Sequence, residues 1–417
     1  MTRKINFKFD FLLWFLMLAP IFYIPGTDTR QTQLEFFKIS MVALLGFFHV
    51  NKFIGLFLGY LVFQFIFFEN LNQVSSVIPN IFFGAFLYHF IVSYGSIEKK
   101  YFWALYGVLL LSVFWIPIQM FQVDPVWGII DYKIQTIMTD FPGWFALPAF
   151  LGNYAAVVLP LAFLLNPLLI PFAVIGLFFS KSSFSILAAL SGALFFLWFK
   201  KRILFWIVLI SCLTAGISYS FQYDNMQYQR RFNVWGIILQ QAFKRPILGH
   251  GIGSYGTKYR FVEFSPSLKN AMIVNNDQLL LFLGDEAGKA GQNDISGAIL
   301  TVKPELFNDK IASQIKGLLN QRGLDFHEWL PAHNEFLQVF FDTGIIGILI
   351  FGAYILDIFK RFFIFGTTEL HLALMSSFVA ILIVSFAHFP FQIVRLSAPF
   401  ISILAFLDLS LRKHDHS

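Results

Sequence analysis

Apolar stretches long enough to cross a bilayer alternate along this chain with short polar connections. Such stretches need about 17–25 residues, and candidates stand near 9–25, 36–50, 53–69, 79–95, 101–121, 144–165, 167–180, 182–199, 203–219, 336–359, 369–388 and 394–411. Each is expected to be helical, because backbone N–H and C=O groups in hydrocarbon must be satisfied within the segment itself. The stretch at 167–180 is short and carries Pro167 and Pro171, so a pair of half-spans is the alternative there. The first apolar stretch follows a basic start as a signal peptide does. It has no small-residue cleavage site followed by a soluble domain, and it reads as a retained span.

Charge orients the ladder. Arg3, Lys4 and Lys8, then Lys52, Lys99 and Lys100, then Lys200, Lys201 and Arg202, then Lys360 and Arg361, and finally Arg412 and Lys413 all fall on one side of a twelve-span alternation. The positive-inside rule makes that side the cytoplasm, with both termini in it. The opposite connections are polar but poor in Lys and Arg, with Arg30, Lys38 and Lys133 as exceptions. The predicted fold is all-α: a polytopic transmembrane helical bundle of about 12 spans with a long, partly helical periplasmic loop. Residues 1–219 hold the first nine spans, 220–332 the loop, and 333–417 the last three spans with a cytoplasmic C-terminus.

Composition agrees: 57% hydrophobic and 13% charged residues over 417 positions would leave a very large apolar surface on a water-soluble globule. The 56 Phe read as lipid-facing bulk. The one cysteine, Cys212, excludes an internal disulfide framework and a Cys-based zinc site. The net charge of +6 would suggest an anionic partner, but many of the cations sit in the cytoplasmic clusters, and no nucleic-acid partner is expected.

The stretch 220–332 breaks the pattern by being long and polar, as functional loops often are. Arg231-Phe-Asn-Val-Trp235 places Arg and Trp one helical turn apart, on an amphipathic helix expected to end at Pro246. Gly249-His250-Gly251-Ile-Gly253-Ser-Tyr255 then suits a sharp turn or a close approach to a ligand, a simple re-entry turn being the plainer reading. For His250 a structural role is expected. At the far end, Pro331-Ala-His333-Asn334-Glu335 opens the apolar run that contains Gln338, Asp342, Gly344 and Gly347. That helix start, with its positive dipole end, should lie at the membrane–water boundary, where a phosphate would be welcome.

The combination of R-x-x-x-W, P-x-x-G-x-G-x-G, H-N-x-x-L-Q and D-x-G-x-x-G resembles the O-antigen ligase and polymerase family of bacterial envelope glycosyltransferases. Ala149-Phe-Leu-Gly152-Asn153-Tyr-Ala155, followed by Leu159-Pro160-Leu161, is similar to that family's G-N-x-x-A…L-P span, and Ser180-Lys181-Ser182-Ser183 to its S-R-x-x element. The likeness covers roughly 145–350. Two departures stand out: Lys181 replaces an Arg, keeping the charge but not the bidentate fork, and the loop between Tyr255 and His333 is long, with a Gly-rich stretch at 284–297 like an insertion.

The resemblance implies transfer of a glycan from an undecaprenyl-diphosphate carrier to a hydroxyl of lipid A–core oligosaccharide on the periplasmic side of the inner membrane, with inversion. Polymerisation onto a second lipid-linked glycan is the alternative. A lipid-linked glycan transporter is a third reading, disfavoured because there is no internal repeat and the span centres carry almost no charge. His333 would be the base, since its ordinary pKa suits neutral pH. Arg231 would stabilise the diphosphate, with Arg230, Lys181 and Arg245 or Lys244 assisting; Asn334 would orient His333 or a sugar hydroxyl; Trp235 and Gly251 would line the substrate. Beside these roles stand plainer ones: an interfacial cap for His333, headgroup anchors for Arg231 and Arg230, and packing for Trp235. No cofactor is implied, and no metal, since the sequence has no DxD or His/Asp cluster at ligand spacing.

Overall fold

A computed structural model describes residues 78–94, 97–121, 148–220, 226–254, 333–366, 368–388, 390–392 and 394–412, with Phe145 and three short strands between 259 and 329. The apolar stretches at 9–25, 36–50 and 53–69 lie outside the described residues, as do Arg30, Lys38 and Lys133. Two compact units divide the chain, the first including 77–223 and 352–417 and the second 224–351.

Among the described residues the first unit is helical: α1 Ile78–Tyr94, α2 Lys99–Met120, α3 Pro148–Leu165, α4 Ile170–Ser180, α5 Ser183–Lys200, α6 Arg202–Ser220, the C-terminal part of α8, α9 Glu369–Ala387 and α10 Val394–Arg412. The second unit holds α7 Met226–Ala242, strands β1 Tyr259–Phe264, β2 Met272–Asn275 and β3 Phe326–Trp329, and the start of α8, which runs Glu335–Phe365. Every apolar stretch expected within the described residues is a helix. Five helices (α2, α3, α5, α8 and α9) are long and apolar enough to cross a membrane, and 167–180 and 202–211 form shorter apolar helices. The chain is therefore a multi-pass membrane protein by the length and composition of its helices. At 167–180, Asn166 accepts the Leu168 N–H, and Pro167 opens a 3-10 turn that leads straight into α4.

α3 is the hub. It is apolar on all sides and buried without interruption from Leu151 to Ala162, packing against α2, α4, α5 and α9. α9 packs on α5 and α10, and α10 on α1. Small residues let these helices approach. A Cβ on Gly192 of α5 would come within 2.8 Å of the Ser376 carbonyl oxygen in α9, and backbone proximity of this kind supplies dispersion energy that lipid cannot replace.

Polar contacts join ends that the twelve-span alternation assigns to the same face. Lys200 pairs with Glu369 at 2.9 Å, the Tyr106 hydroxyl donates to the Leu169 carbonyl at 2.7 Å, and Asp408 of α10 receives Tyr88, Arg361 and Arg412. At the other face, the Ser185 hydroxyl donates to Asn153 at 2.8 Å, and Ser182 lies 3.5 Å from His388 Nε2.

The second unit adds something the sequence reading lacked, a three-stranded antiparallel sheet in the order β2-β1-β3. β1 pairs with β2 in register Tyr259 with Asn275, and with β3 in register Phe261 with Trp329. The loop is thus helical at its start and sheet-bearing further on.

Candidate functional site

In the second unit α7 repeats apolar residues at Val234, Ile238 and Ala242, one per helical turn, and all three are buried with Phe341 of α8. Trp235, Ile237, Leu337 and Phe340 pack against this cluster. α7 stops at Ala242, four residues before Pro246. Its C-terminal end meets α8 through rings: Phe243 lies 5.5 Å from Phe340, and His250 stacks on Phe341 at 4.5 Å while donating from Nε2 to the Gln241 carbonyl at 2.9 Å. His250 accordingly has the structural role expected for it. Arg231 sits one turn N-terminal to Trp235 and is half-buried.

An exchange of backbone hydrogen bonds locks the glycine turn onto α8. Gly344, at φ 66 and ψ −163, interrupts the helix. In an unbroken helix the Ile345 and Ile346 N–H groups would donate to the carbonyls of Phe341 and Asp342. Instead they donate to Pro246 (2.8 Å) and Ile247 (3.5 Å), and the two orphaned carbonyls accept from His250 and Gly251, both at 2.9 Å. Every group displaced by the break is therefore satisfied by the turn. Gly249, Gly251 and Gly253 take positive φ to make this possible. The Asp342 carboxylate closes the clasp, accepting Gly253 N–H at 3.2 Å and the Ser254 hydroxyl at 3.1 Å. Gly251, expected to face a substrate, spends its N–H on this clasp.

His333 precedes α8 with φ 52, in the left-handed region. Its neighbour Asn334 is the N-cap, accepting Leu337 N–H on Oδ1 at 2.9 Å. The helix start expected to be open to an anion is thus partly capped by the chain itself. Asn334 is buried, so its side chain orients the helix end rather than standing in solvent. Going back along α8, Leu337 and then His333 extend from the joint with α7, as Trp235 and then Arg231 do along α7. Arg245 and Lys244 are exposed beyond the end of α7. Trp235 meets Phe232 edge-on at 5.4 Å. The side chain of Arg230 lies outside the described residues.

Lys181 belongs to the first unit. It ends α4 in a left-handed C-cap at φ 51, with an exposed side chain, and Ser182 then caps α5 by accepting Ser185 N–H at 3.3 Å. Gly152 makes the surrounding packing possible, because a Cβ there would meet Ser180 Cβ at 2.4 Å and Ser185 Oγ at 2.9 Å. The Gly152-Asn153 pair singled out in the sequence therefore works as a contact point between α3 and the start of α5.

Two residues escaped the sequence reading. Asp342 appeared only as part of a motif, its partners being 88 and 89 positions away. Asp408 is an acid inside an apolar run, a signal in itself, and it is fully buried between the two arginines. Among the described residues no group of three His, Cys, Asp or Glu could hold a metal ion. A scan against protein-family models finds no match for the chain, and a search of curated proteins finds none either.

Proposed function

We propose that the protein is an envelope glycosyltransferase of the O-antigen ligase type, embedded in the bacterial inner membrane with both termini cytoplasmic and its active site periplasmic. The donor is a glycan on undecaprenyl diphosphate, and the acceptor is a hydroxyl of lipid A–core oligosaccharide. The observation that carries this reading is His333, held with a left-handed backbone at the polar start of a membrane-entering helix that packs against the helix bearing Arg231. A side chain kept in a costly conformation beside a cation-bearing helix fits a group retained for chemistry.

In this mechanism the acceptor oxygen attacks the anomeric carbon from the face opposite the diphosphate. Its proton passes to the His333 imidazole as the new C–O bond forms. The bond from the anomeric carbon to the diphosphate oxygen breaks, and undecaprenyl diphosphate leaves with the electron pair, inverting the configuration. Arg231, assisted by Arg230 and Arg245, offsets the charge growing on the leaving group, the role a guanidinium fork suits best.

The test uses purified protein in proteoliposomes with a polyprenyl-diphosphate glycan donor and, in separate reactions, lipid A–core or a second lipid-linked glycan as acceptor. Transfer to lipid A–core that is lost in His333→Ala and Arg231→Ala, with both variants eluting and melting like the parent, supports the ligase. Extension of the lipid-linked glycan alone redirects the reading to polymerisation, and full activity of His333→Ala refutes the assigned base.

A further inference from the structure

α7 has two apolar faces, and the fold uses one of them. Val234, Ile238 and Ala242 are buried in the joint with α8. Away from that joint, Phe232, Leu239 and Phe243 recur at helical spacing and are 61%, 40% and 61% exposed, Phe243 touching Phe340 of α8 along one edge, with Ile247 in the next turn at 62%. Gly236 lies on the same face, and a Cβ there would meet nothing within 4 Å. Lys244 and Arg245 stand exposed at the end of this stripe. A contiguous apolar face of this size with cations at its border has the composition of an interfacial helix.

The position of the stripe identifies its occupant. The carbonyls of Pro246 and Ile247 accept from Ile345 and Ile346, so the end of the stripe abuts the first turn after the Gly344 break, within the membrane-length helix α8. There Ile345 and Leu349, one turn apart, are 42% and 62% exposed, as lipid-facing side chains of a span are. The exposed stripe of α7 therefore ends beside exposed apolar residues of a membrane-length helix.

We propose that α7 docks on the lipid surface that α8 enters, with Phe232, Leu239, Phe243 and Ile247 at the headgroup–acyl boundary and Lys244 and Arg245 against lipid phosphates. A lipid surface answers both features, taking the apolar stripe into its boundary and the cations onto its anionic headgroups. This inference does not depend on the glycosyltransferase reading, although docking would hold Arg231 at headgroup depth.

The experiment uses the full chain with Cys212→Ser and single Leu239→Cys, Phe243→Cys or Gln240→Cys substitutions, labelled with bimane. Each is reconstituted in vesicles of phosphatidylethanolamine and phosphatidylglycerol. Docking predicts strong quenching of bimane at 239 and 243 by lipids carrying a spin label on the acyl chain. It also predicts several-fold weaker quenching there by iodide, supplied on both sides, than at Gln240. Iodide quenching at 239 and 243 equal to that at Gln240 overturns the proposal. Protection from both quenchers overturns it as well, since that pattern marks cover by protein, such as a second copy of the chain. The side chains at 239, 240 and 243 are exposed, so folding is expected to survive the cysteine substitutions; elution and melting like the parent protein check this.

Discussion

Replacing Gly344 by alanine should undock the glycine turn from α8. At φ 66 and ψ −163 the residue occupies a region that is almost exclusively glycine's, and a side chain there costs about 1–3 kcal/mol. The new Cβ would also fall 2.3 Å from the Ile247 carbonyl oxygen and 2.6 Å from the Gly249 nitrogen. Both are backbone atoms, so no rotamer change relieves the clash, and the turn must retreat by roughly 1 Å to restore van der Waals contact. That retreat breaks the 2.8 Å bond from Ile345 N–H to Pro246 and the longer one from Ile346 to Ile247, each worth about 1 kcal/mol. The total is about 3–5 kcal/mol. Gly236→Ala is the matched control: it sits within α7 with open space where the Cβ would go, and it should gain about 0.5–1 kcal/mol from helix propensity. Thermal unfolding in detergent measures both variants, and tryptic cleavage after the exposed Lys244 reports on the turn directly. If Gly344→Ala melts and is cleaved like the parent protein, the exchanged backbone bonds are not what holds the turn, and the reasoning fails.

Asp408→Asn should destabilise the membrane bundle by about 3–5 kcal/mol, because it leaves the Arg361 and Arg412 guanidiniums beside a buried neutral group; an unchanged melting temperature would count against the cluster as a clamp. Arg412→Gln should cost less, since that side chain is 40% exposed. Asn334→Ala removes the N-cap bond to Leu337 and should cost about 1 kcal/mol, seen as a lower melting temperature that Asn334→Ser largely restores. His333→Gly relieves the positive φ, yet it should lose about 10²–10⁴-fold of the transfer rate if the imidazole is the base. A His333→Gly variant that transfers at the parent rate removes the base assignment.

The membrane helices were legible because their signal is local and physically forced. An apolar run of spanning length has no option but helix, and even the doubtful stretch at 167–180 proved to be a 3-10 turn leading into α4. The sheet was not legible. β1 pairs with β3 across a long stretch of chain, and strands of four and six residues in a polar loop carry too little periodicity to be told from turns. The glycine turn lay between these cases. Its three glycines announced an unusual backbone, but the reason for it, a helix break at Gly344 whose orphaned carbonyls the turn must satisfy, lay almost a hundred residues away. Asp342 was hidden for the same reason, since a carboxylate at a helix end looks like any other until its partners are in place.

The candidate site gains most from the two residues whose backbone the fold would not choose. Among the described residues, Lys181 and His333 are the non-glycine positions with positive φ, and both were singled out from sequence through the family resemblance, His333 also for its chemistry. A left-handed backbone is unfavourable for a side chain by about 1–2 kcal/mol. Helix packing explains why the conformation is needed: Lys181 ends α4 where a glycine C-cap is usual, and His333 turns the chain into the capped start of α8. Glycine would satisfy the backbone of each turn at lower cost. What a glycine would forfeit is an exposed cation at Lys181 and a titratable ring at a polar helix start at His333, the properties that the proposed transfer from an anionic lipid-linked donor would use.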